Sequence, residues 1–172
     1  MKYFLIFGKT KFIMKHISLA SIEKAIDIVD NLDDDQLEST FEKYALTQQI
    51  LLEYVMSAPV EYENEELEGL LIYYFCLINE CFTQEGIKLR EVTEDDIDEM
   101  EEPFADMLDQ YFDDEDEEIL ESFCDQPELA QFMAMEVSTD DEDGSTMSDE
   151  TASQLFTVTI AMISLMNRAI MA

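Results

Sequence analysis

Along most of the chain the apolar positions recur at intervals of three and four, the period of one face of an α-helix. Ile22, Ala25, Ile26, Val29 and Leu32 continue a stripe that begins at Leu19. Asp33, with Gln36 three residues on, has the form of a capping box and opens a second predicted helix. Its stripe is Leu37, Phe41, Tyr44, Ala45, Gln48, Leu51, Leu52 and Val55. It should stop before Pro59, because a proline disfavours the helical conformation in the residue before it. The third segment starts in the acidic turn at residues 61–66, and its apolar run from Leu70 to Ile78 leaves it hydrophobic on nearly every side. That is the pattern of a central helix, and Gly86 is placed to end it. Thr93 caps a helix carrying Ile97 and Met100; Pro103 should kink or restart it before Phe104, Met107, Leu108 and Tyr111. A short acidic helix around Ile119, Leu120 and Phe123 follows, and Pro127 opens another with Leu129, Phe132 and Met133 facing inward. After a polar loop the last segment is again apolar on most sides and should pack against the third.

Strand signals are confined to Tyr3–Phe7, with residues 11–17 as the pairing segment through Gly8. A two-stranded ribbon of this kind has little stability of its own. Gly and Pro number only four and three, which favours long helices over a turn-rich β fold. The expectation is an all-α bundle or irregular array of six or seven helices, with residues 64–84 and 150–170 at its centre. Residues 1–17 would be a basic arm, either ribbon or disordered, and 18–172 one acidic helical domain. Initiation at Met14 would leave residues 1–13 outside the protein.

Composition makes folding feasible and charge makes the chain unusual. The 172 residues are 47% hydrophobic, enough for a core, yet 42 acidic residues stand against 9 basic ones for a net charge of −33. The imbalance is uneven: residues 1–24 hold five lysines and one glutamate. Such a field repels nucleic acid and anionic membrane and draws in basic proteins and cations, so direct nucleic-acid binding is not expected. The last 21 residues carry one charge, Arg168, but Thr157, Thr159 and Ser164 interrupt them. A buried helix is expected there rather than a span, which needs about 20 predominantly apolar residues. The five apolar residues before Gly8 are too few for a secretory leader. Cys76, Cys81 and Cys124 are an odd count in apolar surroundings and read as buried thiols of a cytoplasmic protein.

No catalytic constellation emerges. His16 is the only histidine, which leaves no second imidazole for a triad and no Glu-x-x-His pair for a di-iron site. Gly8-Lys9-Thr10 lacks the earlier glycine of a phosphate-binding loop, since Tyr3 stands in its place. Residues 139–150 fit a twelve-residue calcium loop in part: Asp141 and Asp143 at positions 3 and 5, Gly144 at the turn, and Glu150 at the bidentate position 12. The segment resembles a degenerate EF-hand, with Thr139 in place of the first Asp and Thr146 in place of the aliphatic position 8. The expected consequence is weak Ca2+ binding through Asp141, Asp143 and Glu150. A melting temperature that is the same in millimolar calcium as in chelator removes that expectation.

The densest acidic run is Asp113, Asp114, Glu115, Asp116, Glu117 and Glu118. Carboxylates carried on rigid helices with almost no compensating Lys or Arg imitate a phosphate backbone, so these six are the candidate contacts to a basic partner. Ordinary solubility does not call for so much self-repulsion. The sequence thus favours a non-enzymatic interaction protein, a nucleic-acid mimic or an inhibitor of the immunity or anti-restriction kind. The alternatives are a divalent-cation-binding protein using residues 139–150, a carboxylate-pair enzyme, and a fold adapted to high salt.

Overall fold

The computed structural model describes residues 15–138 and 147–171. The strand candidate at 3–7 lies outside them, as do the first four residues of its pairing segment. The described chain is all-α, in the order α1 (Leu19–Asp30), α2 (Asp34–Thr47), α3 (Gln49–Met56), α4 (Ala58–Glu61), α5 (Glu66–Gln84), α6 (Glu94–Asp114), α7 (Glu117–Cys124), α8 (Pro127–Ser138) and α9 (Asp149–Arg168).

The two segments expected at the centre are there. Every residue of α5 from Tyr74 to Phe82 is buried, and so is every residue of α9 from Val158 to Asn167. These two helices pack on each other; α1, α2 and α4 cover α5, α6, α7 and α8 cover α9, and α3 packs against both. Local sequence accounts for most of the boundaries. Asp33 and Gln36 form the capping box, with Oδ1 of Asp33 accepting from the Gln36 amide at 2.8 Å and Oε1 of Gln36 accepting from the Asp33 amide at 3.0 Å. Gly86 ends α5 at φ +76°, where its amide donates to the Thr83 carbonyl and the Ile87 amide to the Phe82 carbonyl. That pair of bonds is the Schellman closure, and its left-handed residue is glycine for lack of a Cβ. At the other end of the same turn, Oε1 of Glu85 receives the Ser18 amide at 2.8 Å and the Ser18 and Ser21 hydroxyls at 2.9 and 2.7 Å. The positive end of α1 is thereby held against a carboxylate, and these bonds, led by the Ser18 amide, keep the Glu85 carboxyl below the usual carboxylate range.

Two boundaries depart from the sequence expectation, and together they raise the number of helices among the described residues above six or seven. The predicted helix over 33–55 is broken at Gln48, whose backbone leaves the helical region at φ −140° and ψ 57°. The residue does occupy a buried position on the stripe, 2% exposed, but for hydrogen bonding rather than packing. Its Nε2 donates to the Arg90 carbonyl and its Oε1 accepts from the Val92 amide, both at 2.9 Å. A second departure is α4, one turn restarted with Pro59 in its first turn, where a missing N–H costs nothing. At Pro103 the helix is not restarted: the proline lies inside α6, which continues through it to Asp114.

The chain enters the domain at residues 15–17. Ile17 is fully buried, and Gln126, itself fully buried, accepts from the Ile17 amide at 2.8 Å and donates to the Lys15 carbonyl at 2.7 Å. Its Nε2 also reaches Oδ1 of Asn167 at 3.0 Å, so one side chain ties this entry segment to α8 and α9. His16 Nε2 meets Asp125 Oδ1 beside it at 3.0 Å.

Candidate functional site

From Glu91 to Asn167 the chain contains no Lys, Arg or His at all, and those 77 residues hold 26 of its 42 acids. Helix α6 is the rigid element on which many of them stand. Its inner face is Met100, Phe104 and Met107, flanked by Ile97, Leu108 and Tyr111, and it packs against α7 and α9. On the opposite face Asp95, Asp98, Glu102, Asp106, Asp109 and Asp113 follow one another at spacings of three and four, and all six are exposed. At 1.5 Å per residue this is a straight row about 27 Å long, with a carboxylate about every 5.4 Å. For comparison, phosphates advance about 3.4 Å along the axis of one DNA strand. Only Asp113 of this row belongs to the contiguous run 113–118; the other five are legible in the sequence as charge at helical period.

The contiguous run is the corner that follows. Asp113 and Asp114 end α6, Glu115 turns the chain in the left-handed conformation at φ 53°, and Asp116 caps α7 by accepting the Glu118 amide on Oδ1 at 2.9 Å. All six side chains are exposed. Helix physics explains only half of them. Asp116, Glu117 and Glu118 sit at the positive end of α7, where acids are favourable. Asp113 and Asp114 sit at the negative end of α6, where cations belong, and Glu115 holds a conformation usually given to Gly or Asn. Three of the six are thus placed against local stability.

Ion pairing leaves this surface uncompensated. Among the described residues the salt bridges are Arg90 with Asp96, and Arg168 with Asp96 and Glu99, beside the hydrogen bond between His16 and Asp125. The arginine pairs lie at the N-terminal end of α6. There Arg90 grips both oxygens of Asp96 at 2.7 and 3.1 Å, and the Thr93 amide adds a third bond at 2.9 Å. The Arg90 fork, with Thr93, lowers the carboxyl of Asp96, only 6% exposed, from 3.8 to about 2. From Glu102 onward the row on α6 meets no ion-pair partner among the described residues.

No protein-family model, curated protein or solved structure matches the chain.

Between α6 and α7 runs a groove of about 690 Å³. Its floor is Met107, Ile119 and Phe123, and Asp106, Asp116 and Glu118 stand on its rim. The Phe123 ring is set against Phe104 at 5.8 Å between centroids.

The remaining candidates behave differently. Asp141 and Asp143 lie outside the described residues, while Glu150 is exposed in the first turn of α9 and accepts from Gln154 Nε2 at 3.4 Å. Among the described residues no group of three potential ligands is arranged to hold a metal ion. Cys76, Cys81 and Cys124 are buried and free, and burial pushes their thiols up to about 11, 12 and 11 respectively. At neutral pH they are protonated and poor nucleophiles. Two carboxylates, Glu80 and Asp96, are buried among the described residues, on different helices. Glu80 is satisfied by the Tyr44 hydroxyl at 2.9 Å and Gln84 Nε2 at 2.7 Å. No helix among the described residues is long and apolar enough to cross a membrane.

Proposed function

We propose that this is a non-enzymatic binding protein that imitates a nucleic-acid backbone and occupies the cationic surface of a nucleic-acid-binding protein in the cytoplasm. The observation that carries the reading is the exposed row Asp95, Asp98, Glu102, Asp106, Asp109 and Asp113 on the back of α6. A row of like charges on one helix weakens it, since such pairs one turn apart are unfavourable. Here the six acids are fixed by the packing of the opposite face, so they present a preformed charge pattern that requires little ordering when a partner binds. The row runs straight into the corner at 113–118, which extends the same anionic surface onto α7.

Binding of this kind screens with salt and competes with nucleic acid. Capture from native lysate at low salt, followed by a salt gradient, should yield one basic nucleic-acid-binding protein that elutes steeply. Duplex or single-stranded nucleic acid should displace it, and the purified protein should inhibit its nucleic-acid binding mole for mole. Recovery of nothing beyond ribosomal and histone-like proteins, without stoichiometric inhibition, would count against mimicry.

A further inference from the structure

A charged row alone attracts any polycation, whereas the groove beside it is built for something narrower. Its floor is apolar: Met107 is buried, and Ile119 and Phe123 are half-buried, with apolar surface facing the groove. Its walls come from two rigid helices joined at Glu115, and two of its features are held in place. The Phe123 ring rests on Phe104, and Asp116 is fixed by its cap bond to the Glu118 amide. The rim acids Asp106, Asp116 and Glu118 surround the apolar floor. Charge decides among occupants. A second copy of a chain with net charge −33 is repelled, as is any anionic ligand. A small cation leaves the floor uncovered, and the described carboxylates are not arranged to coordinate one.

We infer that the α6–α7 groove seats a basic amphipathic helix of the partner, its leucine-like side chains on Met107, Ile119 and Phe123 and its arginine or lysine heads on Asp106, Asp116 and Glu118. Arg and Lys suit such a site because their methylene stems cover apolar surface while their charged ends stay at the rim. A volume of about 690 Å³ falls within the range of ligand pockets and admits one face of a helix rather than a single side chain. The inference rests on the reading that the acidic surface binds a basic protein, and it adds which kind of segment is gripped and where.

The test uses two synthetic probes of equal charge, an arginine–leucine peptide in amphipathic helical order and an oligo-arginine without leucine. Each is titrated calorimetrically into the full-length protein at about 0.15 M salt. The expected result is a preference of about tenfold or more for the amphipathic peptide, the gain from covering one or two leucine side chains. Ser122→Trp, at an exposed position on the groove wall, should fill the groove and remove that preference while oligo-arginine binding stays the same. Ile119→Ser, a smaller change on the floor, should reduce it. Asp98→Asn/Glu102→Gln/Asp109→Asn, away from the groove, should weaken both peptides alike and keep their ratio. Equal affinity for the two probes, or a preference that survives Ser122→Trp with native helicity, overturns the groove and leaves the acidic surface standing. No binding of either probe overturns both.

Discussion

Asp96→Asn should lower the stability of the protein by about 1–2 kcal/mol at neutral pH, and the loss should disappear in acid. The folded carboxyl titrates at about 2, against 3.8 for an ordinary aspartate, because the Arg90 guanidinium and the Thr93 amide favour its ionised form. A difference of this size corresponds to at most about 2 kcal/mol, and solvent screens part of it, because the carboxylate is buried but the Arg90 side chain is 44% exposed. The folded value lies below the unfolded one, so the contribution is complete above the unfolded pKa. It is lost as pH falls from about 4 toward 2, when the unfolded chain takes up the proton first. Urea denaturation of both proteins from pH 7 to pH 2 measures the gap. Taking the difference removes the effect of the other carboxylates, which both share. A gap that stays constant to pH 2, or is negligible at pH 7, would falsify this account of Asp96.

The triple change Asp98→Asn/Glu102→Gln/Asp109→Asn should act in the opposite direction on stability and strongly on binding. Each of these residues has at least two like-charged neighbours one turn away: Asp98 has Glu94 and Glu102, Glu102 has Asp98 and Asp106, and Asp109 has Asp106 and Asp113. At roughly 0.2–0.5 kcal/mol for each pair, removing them should stabilise the protein by about 1–2 kcal/mol at low salt. The gain should fade as salt rises, because the Debye length falls from about 10 Å at 0.1 M to about 3 Å at 1 M. Affinity for a cationic partner should fall by about two orders of magnitude, since three charge contacts are lost at about 1 kcal/mol each. Thermal melts at low and high salt and binding titrations of the same variant supply both halves. A variant that is less stable, or equally good at binding, would show that the row is not a surface kept at the expense of the helix. The wild-type melt separates a further case: a plateau at moderate salt fits a binding surface, whereas a steep climb into molar KCl fits a protein adapted to brine.

The core was largely readable because it is written in local periodicity. The run Leu70–Ile78 and the apolar stretch after Gln154 announce α5 and α9, and Asp33, Gly86 and Thr93 mark helix ends by their own chemistry. Gln48 was not readable as a break, since its partners Arg90 and Val92 are more than 40 residues away and only tertiary structure brings them to its amide. Asp96 fails in the same way. In sequence it is one acid among many, and Arg168 arrives beside it only when α9 is packed. The row on α6 was present in the sequence all along, at the 3.6-residue period of the apolar face opposite. The groove was not, because it depends on the turn at Glu115 carrying α7 back along α6.

The passage from Lys88 to Val92 is outside any helix and largely exposed, yet its backbone is engaged on both sides. Arg90 and Met171 donate to Ala169 and Lys88, and Gln48 clasps Arg90 and Val92. Surface connections between helices ordinarily absorb extra residues at small entropic cost. One residue inserted between Arg90 and Val92 would misalign the two ends of the Gln48 clasp and shift the guanidinium away from Asp96. For anyone grafting, permuting or lengthening this protein, that short crossing is as intolerant of a change in length as the interior of α5.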